Sequence, residues 1–203
     1  MAAGVVMSVG IIGAIFVAST QAGSMASKEA PKSGEVTSYT LNRYTIDTKQ
    51  DYTKFVARFE KAVPSFTPDI VASASDWNEV VANTAGVATN GFLIYTKFTD
   101  WPWGRFSGME GLDKRRGTMY LMGNHVIAET MYRHNPGVMA HAPLRLMIFE
   151  NERGDAVFQI ERPSDQFAAY GDEEIAKVGL LLNEKLESLF SSLDVPVPSG
   201  LPR

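Results

Sequence analysis

The amino-acid sequence predicts a single α+β domain, in which an antiparallel sheet carries helices packed on one face. The chain has 203 residues, 45% of them hydrophobic and 21% charged, which is the composition of one globular domain with a hydrophobic core. Its segments follow the order strand, helix, helical insertion, four strands with a small helical excursion, and a long closing helix. An antiparallel sheet with helices packed on one face lets every strand and helix bury its apolar side in one core.

The first half of the domain should contain one strand, one helix and a helical insertion. Residues 36–46 are rich in Thr, Tyr, Val and Ile, which favours a strand. A helix should follow and end at Pro64, because apolar residues recur at helical spacing at Tyr52, Phe55, Val56, Phe59 and Val63. Ser75 is the predicted N-cap of a second helix, which should end at Gly86.

The second half should contain four strands and the closing helix. Strands are predicted at residues 92–98 and 118–122, followed by a short helix at 125–133 that Pro136 stops. Two apolar runs around a glycine-containing turn predict a hairpin of residues 144–149 and 156–161. The closing helix should begin near Asp172, because acidic residues favour a helix N-terminus, and residues 193–203 should form a loose tail.

The first 26 residues predict a signal peptide or an N-terminal anchor. Residues 2–18 are apolar except for Ser8, no charge precedes Lys28, and small residues that follow fit an A-x-A-like cleavage site. The apolar run is short for a membrane span. We therefore favour export to the periplasm or the extracellular space over retention by an uncleaved segment or a buried helix. Residues 27–35 should be a linker, and residues 36–192 the domain.

Charge and cysteine content exclude several classes of function. The net charge of -4 argues against a nucleic-acid partner, because such proteins usually present a strongly basic face. The short basic run Lys114-Arg115-Arg116 is expected to be a solvated loop. The chain has no cysteine, which excludes disulfides, thiolate nucleophiles, iron–sulfur clusters and cysteine-ligated zinc.

All three histidines lie within 17 residues of sequence, at His125, His134 and His141, near several methionines that include Met131. Imidazole and thioether ligands together suit copper or haem iron, so these four residues form a candidate metal or haem site. The alternative is that the histidines are satisfied or exposed and the methionines fill the core. Glu129 follows His125 at helical spacing and offers a candidate acid–base pair. We find no established catalytic motif and do not predict an enzyme.

A glycine- and proline-rich loop at residues 101–111 carries a second candidate site. Trp101, Trp103, Arg105 and Phe106 are residue types that line ligand clefts and anchor interfaces. The alternative is that the same loop folds back over the sheet and closes the core.

The segment from residue 118 to residue 166 resembles a known family. A strand ends in Met122-Gly123-Asn124, a short helix follows, and Ala142-Pro143-Leu144 leads into a strand, an acidic turn and another strand. This layout is similar to that of domain of unknown function 302. The resemblance spans residues 39–190 and implies a β-α-β4-α domain of TATA-binding-protein-like architecture, often paired as a dimer, with no implied DNA binding or accepted activity. His125 stands where the family commonly has proline, Ala142 stands where leucine is more usual, and residues 64–90 resemble an insertion.

These observations leave three hypotheses about function. The preferred one is an exported, non-enzymatic domain that binds a small apolar or aromatic ligand between sheet and helices. The second is an extracytoplasmic copper- or haem-binding protein that uses His125, His134 and His141. The third is an interaction module that forms a homodimer through the sheet edge or the aromatic loop.

Overall fold

The computed structural model describes residues 34–99 and 116–201. Contacts divide the chain into two units, of which the second, Thr37–Arg203, contains every helix and strand described below. The predicted leader, most of the predicted linker and the aromatic loop lie outside the described residues. Within the described residues, no helix has both the length and the apolar character that a membrane span requires.

The centre of the domain is a five-stranded antiparallel sheet. Its strands are β1 (Arg43–Asp51), β2 (Leu93–Thr99), β3 (Gly117–Gly123), β4 (Leu144–Glu150) and β5 (Asp155–Glu161). They lie side by side in the order β1-β5-β4-β3-β2, so β1 and β2 are the outermost strands. The inner pairings of β4 with β3 and β5 are regular, whereas the β1–β5 and β2–β3 pairings each contain one register shift.

Helices fill the connections in the predicted order. They are α1 (Tyr52–Ala62), α2 (Asp69–Ala72), α3 (Trp77–Val87), α4 (His125–Tyr132), α5 (Pro163–Ala168) and α6 (Glu173–Ser192), with a 3-10 helix at Pro136–Ala140 between α4 and β4. The predicted α+β fold class, with its helical insertion before the second strand, is confirmed.

Side-chain caps fix where four of these helices begin. Asp51, Asp76, Asn124 and Asp172 each accept a hydrogen bond from a backbone N–H in the first turn of α1, α3, α4 and α6. Such bonds satisfy N–H groups that have no partner within the helix. The N-cap of α3 is Asp76 and not the predicted Ser75, whose backbone N–H instead donates to Glu79.

A fully buried aromatic cluster joins both long helices to one face of the sheet. The ring of Phe59 from α1 meets Tyr120 of β3 and Phe158 of β5 edge-on, with centroid distances of 5.0 and 6.0 Å. Phe158 in turn meets Phe190 of α6 at 5.2 Å. The opposite face of the sheet presents exposed side chains such as Arg145.

Two predicted boundaries were wrong at the ends of the domain. The first strand begins at Arg43 and not at residue 36, because alternating burial starts only at Tyr44 and Val36 is 86% exposed. The tail predicted to be loose instead lies against the domain as far as Leu201. Val195 is buried, and the Gly200 carbonyl accepts hydrogen bonds from Tyr44 and Arg162.

Candidate ligand-binding site

A cleft of about 300 Å³ lies where β3 ends and β4 begins, under helix α4. We call it the α4 cleft. Its walls come from β2, α4, the 3-10 helix, the start of β4, α5 and α6. The lining residues are Tyr95, Gly123, Asn124, His125, Ile127, Ala128, Met131, Met139, Ala142, Pro143, Leu144, Phe167 and Leu182. No Asp, Glu, Lys or Arg side chain belongs to this set of described residues, so the cleft is apolar with a small polar edge.

Asn124 sets the position of α4 over the cleft. Its side-chain oxygen accepts hydrogen bonds from the backbone N–H groups of Val126 and Ile127 and so caps the helix. Its side-chain nitrogen donates to the Gly91 carbonyl at 3.1 Å, which ties the cap to the turn before β2. The Met122-Gly123-Asn124 segment singled out in the sequence is therefore the support of this wall.

The polar edge is a hydrogen-bonded row of three side chains. His125 is the first residue of α4, and its Nδ1 lies 2.8 Å from the Tyr95 hydroxyl of β2. Its Nε2 lies 2.8 Å from Oγ1 of Thr84, a buried residue of α3. His125 thus connects α4 both to the sheet and to the inserted helix.

The bonds of Thr84 determine the tautomer of His125. The Thr84 hydroxyl lies 2.6 Å from the Val80 carbonyl, which can only accept, so the single hydroxyl proton is used there. Thr84 Oγ1 must then accept from His125 Nε2–H. In the neutral ring Nδ1 is left as an acceptor, and the Tyr95 hydroxyl donates to it.

Desolvation favours the uncharged forms of His125 and Tyr95. Desolvation lowers the pKa of His125 below its ordinary value of 6.5 and so favours the neutral ring. Desolvation also raises the pKa of Tyr95 to about 12, which keeps the phenol protonated near neutrality. The cleft therefore offers a ligand apolar walls and neutral hydrogen-bonding atoms, with no fixed charge among its described lining residues.

This half-buried histidine, whose pKa is lowered, predicts a loss of stability in mild acid. Below its ordinary pKa of 6.5 the unfolded chain binds the proton before the folded chain does. The stabilisation from the neutral His125 is complete above pH 6.5, the pKa in the unfolded chain. It is lost as the pH falls from 6.5 towards the lower pKa of His125 in the folded chain. Unfolding free energies measured at about pH 7.5 and about pH 5.5 should therefore fall more in the wild type than in His125→Gln. An equal fall in both proteins would contradict the assignment.

The predicted metal ligands do not converge. His134 Nδ1 lies 3.7 Å from an Asp172 carboxylate oxygen, and the ring of His141 packs edge-on against Tyr39, Phe167 and Tyr170. Of the four predicted ligands, His125 and Met131 line the α4 cleft, but both ring nitrogens of His125 face hydroxyl groups. Within the residues that the structure describes, no group of three His, Cys, Asp or Glu side chains is placed to hold a metal ion.

The predicted His125–Glu129 pair and the predicted aromatic loop are the two remaining candidate sites. Glu129 does not orient His125, because it pairs with Arg133 on the surface of α4. Trp101, Trp103, Arg105 and Phe106 lie outside the described residues. The described residues on either side of them, Thr99 and Arg116, lie at the end of the β2–β3 hairpin opposite the cleft.

Comparison with known proteins places the chain in a family. The model of the family described as domain of unknown function DUF302 matches residues 70–193, which begin within α2 and include all later elements. The chain belongs to the DUF302 family. A crystal structure of an uncharacterized conserved DUF302 protein from Bacillus stearothermophilus is similar in fold, with a TM-score of 0.55 and 12% sequence identity. The similarity covers 74% of this chain and 97% of that one. No curated protein matches the sequence.

His125 and the stretch predicted to be an insertion meet in the structure, and the family match begins at residue 70 and so includes α3. The first position of a helix suits proline, since its backbone N–H needs no partner there, and here His125 occupies that position in α4. Its ring contacts Thr84, which lies on α3 within the stretch predicted to be an insertion. The polar edge of the α4 cleft therefore joins α4 to a helix that the family match includes.

Proposed function

We propose that this DUF302 domain binds a small, mostly apolar molecule in the α4 cleft. The observation that carries the proposal is the cleft itself, an apolar concavity whose few polar atoms are grouped at one edge. This combination is typical of small-molecule sites, in which apolar walls supply affinity and a few polar groups fix orientation. A volume of about 300 Å³ suits a ligand of one or two rings.

The polar edge indicates which functional group the ligand carries. The Tyr95 hydroxyl proton is used by His125 Nδ1 and its oxygen also interacts with the His125 backbone N–H, so one lone pair of this oxygen remains for a ligand. A ligand hydroxyl or N–H group would donate to this oxygen, whereas a ligand carboxylate would bring an unpaired charge into an apolar cleft. The preferred ligand is thus a neutral aromatic or aliphatic alcohol or amide.

Binding is proposed in place of catalysis because His125 is already engaged on both sides. A general base needs a free nitrogen directed at the substrate, whereas the ring nitrogens of His125 bond to Thr84 and Tyr95. The imidazole therefore acts as a support that orients the Tyr95 hydroxyl.

Binding can be tested with the fluorescent pair naphthol and naphthalene on the full-length chain. We expect saturable binding of both, with naphthol bound more tightly because it donates to Tyr95. Ala128 lines the cleft, so Ala128→Trp should fill it and weaken binding of both probes by about 10-fold or more, the equivalent of losing a buried side chain of contact.

Two further variants sharpen this test. Ala57→Trp places the same bulk on the exposed side of α1 and should leave binding unchanged. Tyr95→Phe should reduce naphthol affinity to that of naphthalene. If neither probe saturates, or if Ala128→Trp binds both as the wild type does, the cleft is not a ligand site.

We also propose that the domain acts outside the cytosol. The support is the uncharged, apolar character of residues 2–18 and the small residues that follow them. Fractionation of cells that express the full-length chain, with mass measurement of the mature N-terminus, tests this directly. Recovery of the uncleaved chain in the cytosolic fraction would refute export.

A further inference from the structure

A second concavity, of about 530 Å³, lies on the face of the sheet opposite to α1 and α6. We call it the open-face groove. The outward side chains of β1, β4 and β5 form its floor, including Arg43, Arg145, Gln159 and Glu161, and Gln166 of α5 closes one end. Unlike the α4 cleft, it is lined mainly by polar and charged groups.

The charges in this groove do not balance. Arg43 is neutralised by Glu161, whose carboxylate oxygen lies 2.9 Å from the guanidinium. Arg145 stands next to this pair on the sheet and is exposed, and the described part of the chain supplies it with no acidic partner. Among its Arg and Glu side chains the groove carries one positive charge in excess, although the whole chain has a net charge of -4.

A buried hydrogen-bond acceptor beside the same groove has no donor among the described residues. Gln166 is only 6% exposed, and its side-chain nitrogen donates to the second carboxylate oxygen of Glu161 at 3.3 Å. Its carbonyl oxygen is buried and has no partner among the described residues. Rotating the amide by half a turn does not help, because it would set the carbonyl oxygen against the Glu161 carboxylate. Buried polar atoms are nearly always paired, so this oxygen is a hydrogen-bond acceptor that the described part of the chain leaves unused.

We propose that the open-face groove binds a small monocarboxylate that also carries a hydroxyl or amine donor. The carboxylate pairs with the Arg145 guanidinium, whose planar fork matches it in geometry. The donor group bonds to the side-chain oxygen of Gln166. A single molecule of this kind neutralises the charge of Arg145 and donates a hydrogen bond to the side-chain oxygen of Gln166.

The nearby negative charge of Glu161 selects a monoanion. A phosphate near neutrality carries between one and two negative charges, and it would approach Glu161 with only Arg145 to offset the repulsion. A carboxylate carries a single charge, equal to the excess of the groove. This site lies across the sheet from the aromatic core. Its proposed ligand contacts, Arg145 and Gln166, do not line the α4 cleft.

The test uses the isotope-labelled full-length chain and NMR titration with lactate, propionate and inorganic phosphate. Lactate has the required hydroxyl, and propionate is its counterpart without it. We expect lactate to shift the Gln166 side-chain amide and the signals around Arg145, and to bind more tightly than propionate or phosphate. Arg145→Gln should weaken lactate binding by about 10-fold or more, as expected when a charge-assisted hydrogen bond is lost.

Matched variants separate a built site from general attraction of anions. Arg58→Gln removes an exposed arginine of α1 and should leave lactate binding unchanged. Gln166→Met keeps the length of the side chain but removes the acceptor, so it should bind lactate and propionate equally.

Three results would overturn the proposal. The first is phosphate that binds as tightly as lactate, which would indicate an adventitious ion only. The second is the absence of any saturable shift. The third is a dimer, seen by light scattering, that forms as the protein concentration rises and produces the groove shifts without any added ligand. In that case this face is an interface between two copies of the chain.

Discussion

Replacing Phe59 by alanine should lower the free energy of unfolding by about 3–5 kcal/mol, the range for removal of a buried phenyl ring. Phe59 has no exposed surface, and its ring meets Tyr120 and Phe158 edge-on. The substitution removes the apolar contact area together with these ring–ring interactions, and it leaves a cavity between α1 and the sheet. Urea or guanidinium denaturation of the two proteins measures the difference.

Phe98 provides the matched control for this prediction. It is also a phenylalanine of the domain, but it is 51% exposed on β2, so Phe98→Ala should cost at most about 1 kcal/mol. Domains of this kind have total stabilities of about 5–15 kcal/mol, so a loss of this size can unfold Phe59→Ala. In that case Phe59→Leu, which keeps more of the buried side chain, should show a smaller loss of stability. Equal losses for Phe59→Ala and Phe98→Ala would contradict the aromatic cluster.

Gly179→Val should cost about 1–3 kcal/mol and disturb both concavities, because α5 and α6 approach too closely to admit a side chain there. A Cβ atom at Gly179 would lie 3.0 Å from Ser164 Cα and 3.1 Å from Phe167 Cβ. The backbone of α5 would have to move away from α6. Since α5 contributes Phe167 to the α4 cleft and Gln166 to the open-face groove, both sites should lose affinity for their probes.

Gly86→Val is the control for the effect of glycine replacement in a helix. Gly86 lies in α3, and nothing stands within 4 Å of a Cβ atom placed there. The gain in helix propensity is a few tenths of a kcal/mol, so its stability should be unchanged or slightly higher. If Gly179→Val is as stable as Gly86→Val by denaturation, the close contact between α5 and α6 is not a constraint on the fold.

The long elements could be predicted from sequence because their signals are repeated many times. Helix α6 has an acidic first turn and an apolar stripe that continues to Leu189, and α1 has the same spacing over three turns. The hairpin of β4 and β5 was likewise predicted to within one residue at each end. Short helices are too short for an apolar pattern to recur. Helix α2 has four residues and α5 has six, and neither was predicted.

The polar edge of the cleft could not be predicted because its partners are distant in sequence. Thr84 and Tyr95 precede His125 by 41 and 30 residues, and no local spacing relates them. The predicted partner Glu129 has the right helical spacing but pairs with Arg133 at the next equivalent position. The clustering of His125, His134 and His141 in sequence was also misleading, because each of these side chains contacts a different set of neighbours.

The irregular outer strands have a consequence for how this protein resists aggregation. A regular, unpaired strand edge is a template to which a strand of another chain can add, as happens in amyloid growth. Here the register shifts occur in the pairings of β1 and β2, Lys49 of β1 has a positive φ of 57°, and residues 64–66 hydrogen-bond to Ile94 at the start of β2. Neither border of the sheet therefore offers an unbroken row of amides, and indefinite end-to-end growth of the sheet into fibrils is disfavoured.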